Sequence, residues 1–283
     1  MGGDTQRALV TGANGFIGRQ VMAILRTRLP AVRAFAGDVR EMATHDERAD
    51  VVVHLAAVVR HDQFAEAPRN GYDVNVLGTQ SVLEYCRRVG ARCVLASTSA
   101  VYGTAAASTA LLESAPAEPL SPYAMSKWLA ERLCERYAQG GVPARVLRVF
   151  NVYGPDQHPE FLIPHIIRSL TAGRPIVLRM PHAVRDFVYV DDVAEAFCRA
   201  ALLEHDGFRV FNIGSGSGTR VGDMVRLAEH VFGAATRVET SAQHPGELEA
   251  AVADTTRARR ELDWAPQYDL VAGLQAMKAA MAR

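Results

Sequence analysis

Cysteine is scarce in these 283 residues, with four in all, at Cys86, Cys93, Cys134 and Cys198. They show no CxxC or CxxxH spacing, so neither a zinc site nor a disulfide framework is expected, and thiols kept reduced in a cytoplasmic setting fit the scatter. His158, His165 and His182 share one stretch but also lack metal-ligand spacing, and no metal is expected there. An excess of one charge is missing too. Lys plus Arg and Asp plus Glu number 31 each, which leaves no electrostatic reason to expect a nucleic acid or a membrane surface as partner. No apolar run approaches the ~20 residues of a membrane span. The opening Met1-Gly2-Gly3-Asp4 is polar and leads directly into a strand, unlike a signal peptide. What is present, 49% hydrophobic and 22% charged residues, suits one large α/β domain, alone or with a smaller lobe.

The first half alternates short apolar runs with longer amphipathic ones. Arg7–Thr11, Asp50–Leu55, Cys93–Ser97 and Ala144–Val149 read as strands. Phe16–Leu29, with Ile17, Val21, Ile24 and Leu25 on one face, reads as a helix, as do Tyr72–Val89 and Pro122–Ala138. The strand runs are continuously apolar rather than alternating, which fits a parallel sheet covered on both faces. The expected fold is therefore α/β, a doubly wound parallel sheet of the Rossmann type. After Asn151, prolines at 155, 159, 164, 175 and 181 break this rhythm. The spacing predicts residues 1–150 plus about 185–212 as a dinucleotide-binding domain. Residues from about 151 to 184, with 213–283, are predicted to form an interleaved substrate lobe over the carboxyl edge of the sheet.

The first strand runs into Thr11-Gly12-Ala13-Asn14-Gly15-Phe16-Ile17-Gly18. Glycines here let the backbone turn tightly and approach a pyrophosphate at the positive end of the next helix. A glycine pattern alone is weak, but its place between first strand and first helix is the context that gives it meaning. An acidic residue is expected about 20 residues past the glycines, for the adenosine ribose. Asp38 is the candidate, and Asp50–Leu55 follows it after eleven residues. That leaves room for one strand between the first helix and Asp50, so the outer edge of the nucleotide-binding half is predicted to be trimmed. Asp38 favours NAD by charge, while Arg33 and Arg40 keep NADP open.

Ser121-Pro122-Tyr123-Ala124-Met125-Ser126-Lys127 reads as a helix start, with Ser121 as N-cap and proline at the first helical position. Tyr123 and Lys127 then share one face, one turn apart. The ammonium is expected to lower the tyrosine from its usual value of about 10 toward neutrality, making Tyr123 a proton shuttle. By itself a Tyr-x-x-x-Lys pair is common on helices. Upstream, Ala96-Ser97-Thr98-Ser99-Ala100-Val101-Tyr102-Gly103 places a hydroxyl cluster at a strand's carboxyl end, either a substrate contact or a plain polar exit from the strand.

Further pieces follow in order: His54-Leu55-Ala56-Ala57, Val74-Asn75-Val76-Leu77-Gly78-Thr79, Arg148-Val149-Phe150-Asn151-Val152-Tyr153-Gly154-Pro155, and Arg185-Asp186-Phe187-Val188-Tyr189-Val190-Asp191-Asp192-Val193. With Leu262-Asp263-Trp264-Ala265-Pro266 near the end, the chain resembles the NAD-dependent epimerase/dehydratase family of extended short-chain dehydrogenases from about residue 7 to 270. The resemblance implies Thr98, Tyr123 and Lys127 as the catalytic triad. It implies Gly12, Asn14, Gly15, Phe16, Ile17 and Gly18 at the cofactor pyrophosphate, and Asp38 with Val39 at the adenosine end. Leu55, Ala56 and Ala57 would line the cofactor, with Asn75 nearby as a structural or phosphate contact. Ser97, Tyr123 and Lys127 would meet it from the catalytic side, and Phe150 and Val152 would border the nicotinamide. Thr98, Ser99, Asn151 and Arg185 would face a nucleotide-sugar, Arg185 gripping its diphosphate bidentately. For Arg185 the alternative is an ion pair with Asp186 or Asp192. The same resemblance implies a homodimer through the helices at 72–89 and 122–138.

In relatives that dehydrate, an Asp-Glu pair follows the catalytic threonine, because elimination needs an additional acid and base. Decarboxylating relatives carry a glutamate at the second of these positions. Here they are Ser99 and Ala100, similar to the 4-epimerases. The expected reaction is NAD-dependent epimerisation through a transient 4-keto sugar. A ketoreductase using NAD(P)H and a non-catalytic dinucleotide sensor are the alternatives. Two departures fall on the sugar side. Arg179-Met180-Pro181-His182-Ala183-Val184 replaces a Gly-Asp-Gly turn, and His244-Pro245-Gly246-Glu247 replaces an Arg-x-Gly-Asp motif. Arg179 either takes over phosphate binding or is a solvated surface charge.

Overall fold

The computed structural model describes residues 6–103, 110–241 and 250–282. The expectations about Met1–Asp4 and about His244–Glu247 fall outside them.

Five strands of the first half build the central sheet: β1 (Arg7–Thr11), β2 (Ala31–Phe35), β3 (Val51–His54), β4 (Arg92–Thr98) and β5 (Ala144–Val149). They run parallel in the order β2-β1-β3-β4-β5. Val51, Val52 and Val53 are all 0% exposed, because both faces of β3 are covered. Each such aliphatic side chain contributes about 1.5–3 kcal/mol. β2 is the edge strand and lies half-open to solvent. The short gap before Asp50 thus holds one strand and a 3₁₀ turn at Val39–Thr44, and the sheet edge is trimmed as predicted.

Helix α1 (Phe16–Arg28) joins β1 to β2, and α2 (His61–Glu66) and α3 (Pro68–Tyr72) follow β3. The predicted helix at 72–89 is a stretch of π-helix, Asp73–Leu77, running into α4 (Gly78–Val89). Helix α5 (Pro122–Gln139) starts as predicted, with the Ser121 hydroxyl accepting the Ala124 N–H at 3.1 Å.

The second half adds β6 (Asn151–Tyr153), α6 (Leu162–Thr171), β7 (Ile176–Leu178), β8 (Val184–Tyr189), α7 (Val190–Leu202) and β9 (Phe208–Ile213). Of these strands only β9 joins the central sheet, parallel to β5. Then come β10 (Gly218–Arg220), α8 (Val221–Phe232), β11 (Val238–Thr240), β12 (Ala250–Ala251), α9 (Thr256–Leu262) and α10 (Leu270–Met281). Strands β10, β8 and β12, with β6 beside β8, make a second sheet, and β11 pairs with β7. β8 takes its hydrogen bonds from the second sheet, yet Val188 packs into the main core, where α7 joins it from Val193 onward. Near the end, Ala258, Leu262 and Trp264 also belong to the main core. Asp192 draws them there: its carbonyl accepts Trp264 Nε1–H at 2.8 Å, and its carboxylate accepts the Gln267 and Tyr268 N–H groups at 2.9 and 3.0 Å.

Apolar faces of α1 and α7 cover one side of the central sheet, and those of α4 and α5 the other. Among the described residues no helix is long and apolar enough to cross a membrane.

Candidate active site

β1 delivers the chain to Gly12 in the left-handed region, φ 66°. A Cβ on Gly12 would stand 2.6 Å from the Ala56 nitrogen, and one on Gly18 only 2.1 Å from the Gly12 carbonyl oxygen. No other residue type permits both close passes. Gly15 precedes α1 without a side-chain cap, so the first N–H groups of a 13-residue helix are left for another acceptor. Gly15, Phe16, Ile17 and Gly18 line a cavity of about 560 Å³. An uncapped positive helix end opening on a cavity fits the pyrophosphate of a dinucleotide.

A hydrogen-bond chain holds this loop from below. His54, 1% exposed, joins Thr11 Oγ1 through Nδ1 at 2.7 Å and Thr79 Oγ1 through Nε2 at 3.1 Å. Thr79 donates its proton to the Asn75 carbonyl at 2.7 Å and so must accept from His54 Nε2–H. Nδ1 is then an acceptor from Thr11, which in turn accepts the Ala56 N–H at 3.2 Å. Burial, with Lys127 nearby, lowers His54 to about 3 and keeps it neutral.

Several expected cofactor contacts lie away from this cavity. Asn14 is exposed at the loop tip. Asp38 accepts the Arg40 N–H at 2.9 Å and pairs with the Arg40 guanidinium, which draws it down to about 2. Arg33 pairs with Glu47, so both arginines that kept NADP open have carboxylate partners. Val39 is buried, and a Cβ on Gly78 would meet its Cγ1 at 2.6 Å. Ala56 sits beneath Gly12, whereas Leu55 and Ala57 line the cavity. Asn75 binds both the N–H and the carbonyl of Val58, at 2.8 and 2.9 Å, and Ser126 Oγ at 2.9 Å. These three contacts tie the chain after β3 to α5.

On the other wall Thr98, Tyr123 and Lys127 converge and all line the cavity. Tyr123 hydrogen-bonds Thr98 and meets the Phe64 ring edge-on at 6.1 Å. Lys127 Nζ donates to the Ala96 carbonyl at 2.8 Å. The expected depression of the tyrosine is not found. Burial pushes Tyr123 up to about 12 against the pull of the Thr98 hydroxyl, and burial lowers Lys127 to about 8 despite Glu131. Removal from water outweighs the i, i+4 pairing, because the same dry wall penalises the charged form of both.

Ser97 lines the cavity, but its hydroxyl donates to Glu131 Oε1 at 2.5 Å. Glu131 and its partner Arg148 are wholly buried and escaped the sequence reading. Ser99, Asn151 and Arg185, expected at the substrate, line the cavity, as do Phe150 and Val152, expected at the nicotinamide, and Ala100; Arg179 is exposed and outside the described lining. Arg185 donates through Nη1 to the Val184 carbonyl at 3.0 Å, while Asp186 accepts the N–H groups of Ser215, Gly216 and Ala253 at 2.6, 2.9 and 3.0 Å. Two more lining residues carried no sequence signal. Arg60 reaches across to His158 Nε2 at 3.0 Å and Glu160 at 3.0 Å. Gln157 presents a buried Oε1 without a hydrogen-bond partner among the described residues. Neither Asp nor Glu occurs among the described lining residues; the charged ones are Arg60, Lys127 and Arg185.

A model of the NAD dependent epimerase/dehydratase family matches residues 8–214. The chain is 30% identical to a UDP-glucose 4-epimerase of Rhizobium leguminosarum bv. trifolii, covering 95% of each protein. It is 33% identical to a dTDP-glucose 4,6-dehydratase of Streptomyces griseus, covering 97% of this chain and 94% of that one. The structure of MoeE5 in complex with UDP-glucose and NAD superposes with a TM-score of 0.90 at 31% identity, over 98% of this chain and 99% of the other. Identity alone does not separate epimerase from dehydratase; the site residues must.

Proposed function

The chain belongs to the NAD-dependent epimerase/dehydratase family, and from that premise we propose that it inverts C4 of a nucleotide-sugar, such as UDP-glucose, with bound NAD. One observation carries the choice of reaction. The described lining holds no carboxylate: it offers Tyr123, Thr98 and Lys127 for a hydroxyl proton, and after Thr98 only Ser99 and Ala100. Elimination of a sugar hydroxyl needs a further acid, which no described lining residue supplies, whereas oxidation and return at one carbon needs one proton shuttle.

NAD, when bound, supplies the hydride acceptor at C4 and the donor for its return. Gly12, Gly15 and the open end of α1 would hold its pyrophosphate, and Leu55, Ala57, Phe150 and Val152 would enclose it. Tyr123 takes the C4 hydroxyl proton while Thr98 holds that oxygen, leaving a 4-keto sugar. Lys127 steadies the phenolate. Asn151 and Arg185 hold the diphosphate, so the sugar turns about its link to a fixed anchor and presents its other face. Tyr123 then returns the proton. The second sheet, which carries Arg185, serves the substrate. A cytoplasmic homodimer, joined through α4 and α5, completes the proposal; light scattering at micromolar concentration checks the mass.

The test is incubation of purified protein with UDP-glucose and no added reductant. UDP-galactose should form without net NADH, and Tyr123→Phe should slow it at least about 100-fold while leaving bound cofactor in place. A 4-keto-6-deoxy product, or a requirement for NADPH, would replace this reading with dehydratase or reductase.

A further inference from the structure

Tyr123, Lys127 and Glu131 stand four residues apart along α5 and form one stripe of that helix. The stripe meets three successive residues of β4. Thr98 bonds Tyr123, the Ala96 carbonyl accepts Lys127 Nζ at 2.8 Å, and the Ser97 hydroxyl donates to Glu131 at 2.5 Å. Glu131 is 0% exposed. Arg148, from the neighbouring strand β5, grips it through Nε at 3.0 and 3.2 Å and through Nη2 at 2.7 Å. Arg148 is itself fixed: Nη1 donates to the Glu113 carbonyl at 3.2 Å, and the guanidinium lies 4.7 Å from the centre of the Tyr102 ring.

A buried ion pair is weak ground for stability, since apolar residues of equal volume often do as well. Its place suggests another use. Lys127 is 4% exposed, and a dry ammonium needs a counter-charge. The groups facing it are His54 from β3, kept neutral by burial, and Tyr123, Glu131 and Cys134 from its own helix. Glu131 is the carboxylate among them, one turn away, in an interior where charge is poorly screened. Its carboxylate oxygens accept the Ser97 hydroxyl and the Arg148 guanidinium, which fixes the group in place one turn from Lys127.

This step rests on the catalytic reading of Tyr123 and Lys127. We propose that Glu131 is a positioning residue for the reaction, holding Lys127 in its charged form and keeping the α5 stripe in register with Thr98. Arg148 and Ser97 act only through it.

The chain contains two lysines, Lys127 and the exposed Lys278. Protein labelled with ¹³C-lysine therefore gives two ε-carbon signals, assigned with Lys278→Arg. In the protein without substrate or added cofactor, Lys127 should titrate at about 8. In Glu131→Gln it should titrate at least roughly one pH unit lower, because the carboxylate is gone and Arg148 remains. Glu131→Asp keeps the charge and should stay close to the parent even if its melting temperature falls. Arg148→Gln removes the competing cation and should move Lys127 upward; it carries the test if Glu131→Gln does not fold. The alkaline limb of the kcat profile should follow each shift. Lys127 titrating at one pH in the parent and in both charge-changing variants would overturn the proposal, leaving the pair a packing feature. The titration needs no turnover. A parent that shows the shifts but epimerises nothing would fail the catalytic reading alone.

Discussion

Replacing Lys127 by methionine sets two consequences of burial against each other. At neutral pH the fold must accommodate a desolvated ammonium, drawn from its ordinary 10.5 to about 8. At about 1.4 kcal/mol per pH unit, that displacement corresponds to about 3 kcal/mol of lost stability. Methionine relieves it but leaves the Ala96 carbonyl, which accepts Lys127 Nζ at 2.8 Å, without its donor, at a cost of about 1–3 kcal/mol. At pH 7 the variant should therefore equal or slightly exceed the parent in stability while being inactive. The folded value lies below the unfolded one, so between about pH 8 and 10.5 the unfolded chain still holds a proton that the folded protein has released. The parent accordingly gains stability as pH rises through that window. By pH 9.5 it should have recovered about 2 kcal/mol that the variant never lost, and the variant should now be the weaker of the two. Urea denaturation at both pH values, read by Trp128 and Trp264 fluorescence, measures the difference, and every other titrating group cancels. A parent-to-variant difference that stays constant from pH 7 to 9.5 would refute a buried, strongly shifted Lys127.

Other perturbations follow from named contacts. Gly18→Ala puts a methyl 2.1 Å from the Gly12 carbonyl oxygen; relieving about 1–3 kcal/mol of overlap should move the loop and weaken NAD binding roughly tenfold or more by calorimetry, with the far-ultraviolet dichroism retained. Asp186→Ala strands the N–H groups of Ser215, Gly216 and Ala253, and a loss of about 3–5 kcal/mol is expected in urea unfolding. Arg185→Leu should raise KM for the nucleotide-sugar and cut kcat/KM by roughly tenfold to a hundredfold, while the NAD content of the purified protein stays unchanged.

What the sequence made legible is what local rules control. The glycine turn, the Ser121 cap with Pro122 behind it, and the single strand before Asp50 each follow from a few adjacent residues, and the structure has them. Continuous apolar runs located the strands because a doubly covered sheet tolerates nothing else at positions such as Val51–Val53. Three things depended on tertiary contact. Strand β8 reads as a strand in either sheet, and only its pairing with β6, β10 and β12 assigns it. The environment of Tyr123 and Lys127 is set by the wall around them, so their helical spacing gave their meeting point but the wrong direction for the tyrosine. Glu131 and Arg148 lie on a helix and a strand, 17 residues apart, and nothing in either segment marks them as partners until β4 and β5 come together.

The central claim is that one hydride leaves C4 and returns to C4. It is tested most directly with UDP-glucose carrying deuterium at C4, incubated with the purified protein in the absence of added reductant and analysed by NMR and mass spectrometry. The account predicts UDP-galactose with the deuterium still at C4. Deuterium found at C6 beside a 4-keto group, or lost to a cofactor that must be replenished, would contradict it.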